Sequence, residues 1–594
     1  MSCLVKFGFG GVQDFIAQAR MTRDLAAGSR LIQSLSVQAA GSEIIKSLAQ
    51  AAANRVQGEL ILPPPADEKG TPPEAFPHQF VFRFEGNLEG ACKAGNDLRK
   101  SVLQDVEGKL CAALKNADGQ FQKEEGVKED DPRLKQHLRS ALEVYWVAIE
   151  ETGDYEKDYK LLTRLFDDRR HTRTFEQIQS FSGEPGNETC SQCGVRPRIG
   201  HGTITSGKGL FYTKDKLCVV CAAKRAWSGS GIDTVPNTYK LSRWRAYMDP
   251  VYKKWNDSKD QFDLPLEEVG NPDLRKDLAK LSPYWALIVF DGDQMGKWFS
   301  GEFAPNSADL WSFQVKLAQA MNSFASKVKE LCDSNEDEQE KQPVFRVYTG
   351  GDDGLILSPF DFALPLAEKI HSAWVDCMAK IHGRKKENTI APTLSLHISL
   401  LHAKEPLQPA VADLHHYLDQ AKEKGGRDCY SILANVRAGS PAWMVSGWKQ
   451  WPIFVEALES LTNYRMSDFS GSFVRIPNSD ERTRRNKVAL SARLPHAMME
   501  AMERFYQDDD AKTLVSKTAL LAEMHRIIGR RSRGGEEHSS AILQFLEPRM
   551  DGLPEEGSAK DKPSCSPIRG PEALRSAFEV LAFMARELRW GGEE

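Results

Sequence analysis

Tyr348-Thr349-Gly350-Gly351-Asp352-Asp353-Gly354 stands between two short apolar runs, Val344 to Thr349 and Leu355 to Ser358, and its reading decides the fold. Two strand-forming runs joined by a Gly-Gly-Asp-Asp turn predict a hairpin. The glycines let the backbone approach a ligand, and adjacent carboxylates at a hairpin tip repel one another unless a cation lies between them. Alone, such a turn is also what a solvated Asp-Gly loop looks like. A second acidic element changes the balance. The continuous apolar run Tyr284 to Phe290 predicts a strand, and it ends in Asp291-Gly292-Asp293-Gln294-Met295-Gly296-Lys297. In an antiparallel sheet this strand lies beside the hairpin, with Asp291 expected to face Asp352. Carboxylates from two strands suit a pair of Mg²⁺ (or Mn²⁺) ions about 3.5–4 Å apart, which activate a ribose hydroxyl and neutralise a triphosphate during in-line displacement.

The flanking pattern predicts strand Tyr284 to Phe290 and a helical stripe of Phe313, Leu317, Met321, Phe324, Val328 and Leu331, followed by the hairpin. A helix from about Leu364 to His382, strand Leu394 to Leu400, helix Pro409 to Lys424 and strand Cys429 to Leu433 complete the unit. This is the ferredoxin-like, or palm, order of elements. The amino-terminal part predicts the same order: strand Val5 to Phe9, a helix from Asp14 to about Ala52, strands Gly58 to Leu62 and Gln79 to Phe84, helix Gly90 to Lys115 and strand Val144 to Ile149. A proline-rich loop stands where the second unit has its hairpin. The two units share no obvious sequence repeat, so the duplication rests on element order.

Between the units, Cys190-Ser-Gln-Cys193 and Cys218-Val-Val-Cys221 form two C-x-x-C pairs. Each pair can make a tight knuckle, and two knuckles complete a tetrahedral all-sulfur zinc site with no ligand position left for substrate, hence a structural one. Cys3, Cys92, Cys111, Cys332, Cys377, Cys429 and Cys565 show no such spacing and read as buried small residues or idle thiols. After residue 450 the pattern is helical, with Met498, Met502 and Phe505 on one face and a last helix from Glu572 to Leu588. The fold class is α+β: a first, non-catalytic palm-like domain (1–160), a zinc-binding and helical insert (161–280), a second palm carrying Gly-Gly-Asp-Asp (281–440) and a helical carboxyl-terminal domain (441–594).

With 78 basic and 83 acidic residues the net charge of -5 argues against a surface that coats nucleic acid throughout. The 594 residues include no apolar run near the roughly 20 residues of a bilayer span, and the amino terminus has no secretory pattern, so no membrane role and a cytoplasmic location are expected. Leu418 to Arg427 sets Lys422 and Lys424 at a helix end, where they suit a triphosphate or simply accompany termination at Gly425-Gly426. The clusters Arg482 to Lys487 and Arg530 to Arg533 read as RNA or subunit contacts, or as solvated faces beside Asp480, Glu481 and Glu536.

The order Asp-Gly-Asp-x-Met-Gly, Gly-Gly-Asp-Asp and Ala-Lys before Gly-Arg resembles the nucleotide-cyclase and GGDEF-type palm. Together with FGFGGVQDFIAQARMTRDLAAGSRLIQSLS, LCVVCAAKR, YTGGDDGLILSP and TLSLHISLLHAKEPL, it resembles the large palm-domain subunit of type III CRISPR effector complexes, in particular the III-B or Cmr type. The resemblance covers most of residues 1 to 435 in order. It implies synthesis of cyclic oligoadenylates from ATP between the two palms, switched on by target RNA bound to the assembled complex. Partners implied are the other Cmr-type subunits, guide crRNA and target RNA. Carried over by residue, Asp291 and Asp352 become Mg²⁺ ligands, with Asp353 or Asp293 assisting and Asp353 counted with the catalytic carboxylates. Gly292 lends a carbonyl, Gly350 and Gly351 give room for phosphate, and Lys422 contacts phosphate. Gly10, Gly11, Gln13 and Ser29 match the family signature near the nucleotide pocket. The chain has no His-Asp dipeptide, so the HD nuclease of many relatives is not expected. Two other readings stay open: the same chemistry joining AMP to another acceptor such as S-adenosylmethionine, and a catalytically silent scaffold.

Overall fold

A computed structural model describes residues 2–40, 58–63, 77–115, 131–172, 189–205, 210–228, 235–248, 250–305, 309–332, 344–385, 388–436, 439–462, 494–503, 517–531, 537–549 and 571–588, with short pieces between them such as 119–124. The first unit comprises β1 (Ser2–Gly10), α1 (Val12–Ala17), α2 (Thr22–Ala40), β2 (Gly58–Leu62), β3 (Gln79–Glu85), α3 (Leu88–Lys115), β4 (Phe121–Lys123), α4 (Pro132–Arg139), β5 (Glu143–Glu150) and α5 (Tyr155–His171). Its sheet runs β2-β3-β1-β5, all antiparallel, which is the expected ferredoxin-like order. The one long helix expected from Asp14 is two. The chain turns between them because the Asp24 carboxylate accepts from the amides of Arg20 and Met21, at 3.2 Å each, and so caps α2. Residues 41–57 and the proline-rich loop at 64–76 lie outside the described residues. Helix α5 buries Tyr159 and Leu162 against Leu4, Val81 and Ile149 of the first sheet, so a boundary at 160 cuts through an element of the first unit.

The cysteine segment adds β6 (Gly200–Gly202), β7 (Lys216–Leu217) and α6 (Val219–Ala226), with β4-β6-β7 as a small sheet. Short helical pieces follow, and Ala246, Phe262, Val269, Leu274 and Leu278 form their own small core. The second unit comprises β8 (Tyr284–Gly292), α7 (Met295–Phe299), α8 (Leu310–Cys332), β9 (Phe345–Thr349), β10 (Asp353–Pro359), α9 (Ala363–Met378), β11 (Gly383–Lys385), β12 (Asn388–Ile390), β13 (Leu394–His402), α10 (Leu407–Gly425), β14 (Cys429–Ala434) and β15 (Ala442–Gly447). Its sheet order is β15-β14-β13-β8-β10-β9, with only β13 and β14 parallel. The palm order is again β13-β8-β10-β9, extended by β14 and by a strand, β15, that lies past the expected boundary at 440. Helices α11 (Trp451–Leu461), α12 (Leu494–Glu503), α13 (Lys517–Arg531), α14 (Glu537–Leu546) and α15 (Pro571–Glu587) follow. Met498 and Met502 are core residues, as their stripe suggests, while Phe505 lies outside the described residues.

Strand β8 explains why its sequence is continuously apolar rather than alternating. Tyr284, Ala286, Ile288 and Phe290 enter a core shared with α8, α9 and the carboxyl-terminal helices. Trp285, Leu287 and Val289 enter a second core shared with the first palm and the cysteine module. A strand covered on both faces needs apolar residues at every position. Truncation of Leu287→Ala, at 0 % exposure in this wall, is expected to lower unfolding stability by about 2–5 kcal/mol in urea titration.

Candidate active site and cysteine cluster

The palm-facing stripe of β8 runs Trp285, Leu287, Val289 and ends in Asp291. On β10 the matching stripe is Leu357, Leu355, Asp353. The register sets Asp353 directly opposite Asp291, where the sequence led us to expect Asp352. The reason is the turn: strand β10 begins at Asp353, and Asp352 stays in the turn, its carbonyl accepting from the Gly292 amide at 2.9 Å. One residue of register exchanges the two faces of a strand. Burial pushes the Asp353 carboxyl up to about 7, and the charge of Asp291 adds to it. Asp352 is also raised well above the carboxylate range, by burial and then by Asp353 and Asp291. Such crowding is relieved by cations, and one is present in the chain itself. Lys422 of α10, 8 % exposed, forms an ion pair with Asp291.

The glycines of the hairpin have separate reasons. A Cβ on Gly350 would collide with the Asp353 carboxylate, and its amide donates to the Asp353 carbonyl at 2.8 Å. Gly351 has φ +105°, open to glycine and strained for other residues. Gly354, given no role from sequence, lies against the Phe290 ring, where a Cβ would clash. A Cβ on Gly292 would press on Met295, Trp374 and Asp352.

Asp293 differs from its neighbours. It is 3 % exposed, and its carboxylate accepts from Ser395 Oγ (2.9 and 3.0 Å), Thr393 Oγ1 (2.8 Å) and the Asp428 amide (2.9 Å). Its oxygens are used to lock the end of β8 to β13 and to the turn after α10. In that turn Gly426, Arg427 and Asp428 all have positive φ (80°, 70° and 47°), a run that costs about 1–2 kcal/mol for each non-glycine residue. Replacing Asp293→Ala would leave these donors unanswered and release the turn. We expect a loss of about 1–3 kcal/mol in chemical denaturation, with Asp293→Asn milder.

Between the palms lies a cavity of about 340 Å³. Gly11, Gln13 and Ser29 of the first palm line it, as do Tyr348, Thr349, Gly350 and Asp353 of the second. Gly10 serves the fold instead, since a Cβ there would strike the Tyr145 ring. The cavity also takes in Gln33, Ser36, His78 and Arg170, which the sequence did not single out. Arg170 had a visible signal, a basic last turn of α5, but the helix reads as part of the insert unless its packing is known.

The four clustered cysteines come together as their spacing predicts. The sulfurs of Cys190, Cys193, Cys218 and Cys221 all lie within 4.8 Å of one another, and Cys193 and Cys218 Sγ are 3.9 Å apart. Tetrahedral sulfurs at about 2.3 Å from a zinc ion stand roughly 3.8 Å from each other, so the set fits a metal ion. Gly194 has φ +67°, and the amides of Gln192 and Cys221 each donate to the first sulfur of their knuckle at 3.4 Å. Cys218 is also the N-cap of α6.

Comparison with known proteins agrees with this architecture. Residues 284–431 match the family "Cas10/Cmr2, second palm domain", and residues 4–85 match "CRISPR-associated protein Cmr2, N-terminal". A stretch of 218 residues is 30% identical to the CRISPR system Cmr subunit Cmr2 of Pyrococcus furiosus, covering 33% of this chain and 22% of that protein. The fold is similar to a type III-B Cmr-beta structure in the apo state (TM-score 0.61, 13% identity, 99% of this chain and 82% of that one). It is also similar to a Cmr-beta structure bound to cognate target RNA (TM-score 0.59, 12% identity, 98% and 83%). The amino-terminal segment and the second palm thus both match Cas10/Cmr2 family models, in chain order and on the observed sheets.

Proposed function

We propose that this chain is the adenylyl-transferring large subunit of a type III-B CRISPR ribonucleoprotein, making cyclic oligoadenylates from ATP when the complex holds target RNA. Its partners in this reading are the other Cmr-type subunits, guide crRNA and target RNA, in the cytoplasm. Among the described residues no helix is long and apolar enough to cross a membrane. The observation that carries the reading is the direct pairing of Asp291 with Asp353 at the edge of a cavity that the first palm completes. A scaffold has no use for a carboxylate such as Asp353, whose pKa is raised by burial and by the facing Asp291.

In the proposed reaction the 3'-hydroxyl of one nucleotide attacks the α-phosphorus of a second. The new P–O bond forms as the bond to pyrophosphate breaks. Asp291 and Asp353, with Asp352 adjacent, would hold divalent cations; Mg²⁺ or Mn²⁺ there supplies charge neutralisation and a more acidic hydroxyl. Gly350 leaves space beside Asp353 for a phosphate oxygen. Lys422, paired with Asp291, would be the cation placed to contact a phosphate at this edge. Gln13 and Ser29 present polar groups from the opposite wall, and Arg170 offers a positive charge to the same space. The cysteine cluster binds a structural zinc ion in this reading.

Assembled complex supplied with matched target RNA, Mg²⁺ and labelled ATP should give cyclic oligoadenylate by mass spectrometry. The double change Asp352→Ala, Asp353→Ala should lower it more than about 100-fold with assembly intact. Product that survives the change would sink the site assignment, and a conjugate with a non-nucleotide acceptor would redirect the substrate reading. Metal analysis should find about one zinc per chain, lost in Cys218→Ser.

A further inference from the structure

The cysteine module is fastened to the first palm at the two helices that line the cavity. Lys224 of α6 is 1 % exposed, and its ammonium donates to the carbonyls of Phe15 (2.7 Å) and Gln18. Gln192, inside the Cys190–Cys193 knuckle, gives its side-chain amide to the same Gln18 carbonyl at 2.8 Å. These carbonyls close the end of α1, whose start carries Val12, Gln13 and Asp14 to the cavity. Arg225, fully buried, makes two parallel bonds of 2.9 Å to Asp24, the residue that caps α2. The same guanidinium reaches Asp215 (2.7 Å) and Gln192 (2.6 Å). From its capped start α2 carries Ser29, Gln33 and Ser36 to the cavity.

A buried guanidinium and ammonium are costly to desolvate, and both are spent here on two helix ends. The helix that supplies them starts at the second knuckle, where Cys218 is its N-cap, and Gln192 lies inside the first. We propose that Lys224, Arg225 and Gln192 are positioning residues for the first-palm wall of the cavity, and that metal occupancy of the four cysteines governs nucleotide affinity through them. Closure of the knuckles sets α6, and α6 sets α1 and α2. The nucleotide part rests on the function proposed above; the mechanical coupling does not.

The test uses the full chain and reads amide hydrogen exchange alongside binding of a fluorescent ATP analogue with Mg²⁺. In Lys224→Met and Arg225→Met the protein should retain its metal, exchange faster over residues 12–36 and not over 284–292, and bind the analogue roughly 10-fold or more weakly. In the assembled complex KM for ATP should rise with kcat little changed, and Arg225→Lys should restore part of the affinity. Stripping the metal with a mercurial and a chelator should reproduce the faster exchange over 12–36. If Arg225→Met fails to fold, Gln192→Ala, which removes single bonds to Gln18 and Arg225, gives the same pattern in smaller degree. Unchanged exchange over 12–36 after both stripping and substitution overturns the coupling. Faster exchange with unaltered analogue binding overturns the positioning role. Faster exchange in a protein whose unaltered form binds no analogue supports the coupling and overturns the nucleotide reading instead.

Discussion

Strand β8 is covered on both faces, and nearly everything else in the molecule depends on that burial. Its even-numbered residues from Tyr284 to Phe290 are enclosed by α8, α9 and the carboxyl-terminal helices, and Trp285, Leu287 and Val289 by the first palm and its cysteine module. Period-2 geometry then fixes where the strand's first polar residue must point. Asp291 continues the stripe that faces the first palm, and Asp353 does the same on β10. The carboxylates thus stand at the end of an apolar interface, beside the cavity that the helices of the first palm help to line. Burial there raises Asp353, and the charge of Asp291 adds to it.

The acidic residues divide their work by what answers them. Asp293 meets hydroxyls and an amide and is spent on architecture. Asp291 meets Lys422, whereas Asp352 and Asp353 are raised by burial and then by the charge of their acidic neighbours, Asp291 among them. A short acidic motif therefore contains both a brace and the groups that the brace holds in place. The left-handed run at 426–428 belongs to the same arrangement, since it turns the chain back from α10 to β14 while Asp293 fastens the Asp428 amide.

Much of this was legible in the amino acids because the signals were local. The hairpin, the continuous strand before Asp291 and the paired cysteine spacing each follow from chemistry within a few residues, and all stand in the structure. What failed depended on contacts across the chain. The break between α1 and α2 comes from a carboxylate that Arg225 holds 201 residues away. The exchange of Asp352 for Asp353 opposite Asp291 turns on where a glycine-rich turn ends, which periodicity does not resolve. Helix α5 looks like part of an insert until its packing on β1 is seen, and with it Arg170 escapes notice. Strand β15 is short and adjoins helical sequence, and its place in the sheet is set by pairing with β14.

The far side of β8 carries one more implication. The Tyr284 ring meets Phe583 of α15 edge-on at 4.8 Å, and Ser282 donates to Glu587 at 2.7 Å. The wall that bears Asp291 is therefore finished by a helix made about 300 residues later. During synthesis β8 must wait, with one face uncovered, until that helix has been made. Long-range closure of this kind is slow, and the acidic edge gains its full support only then.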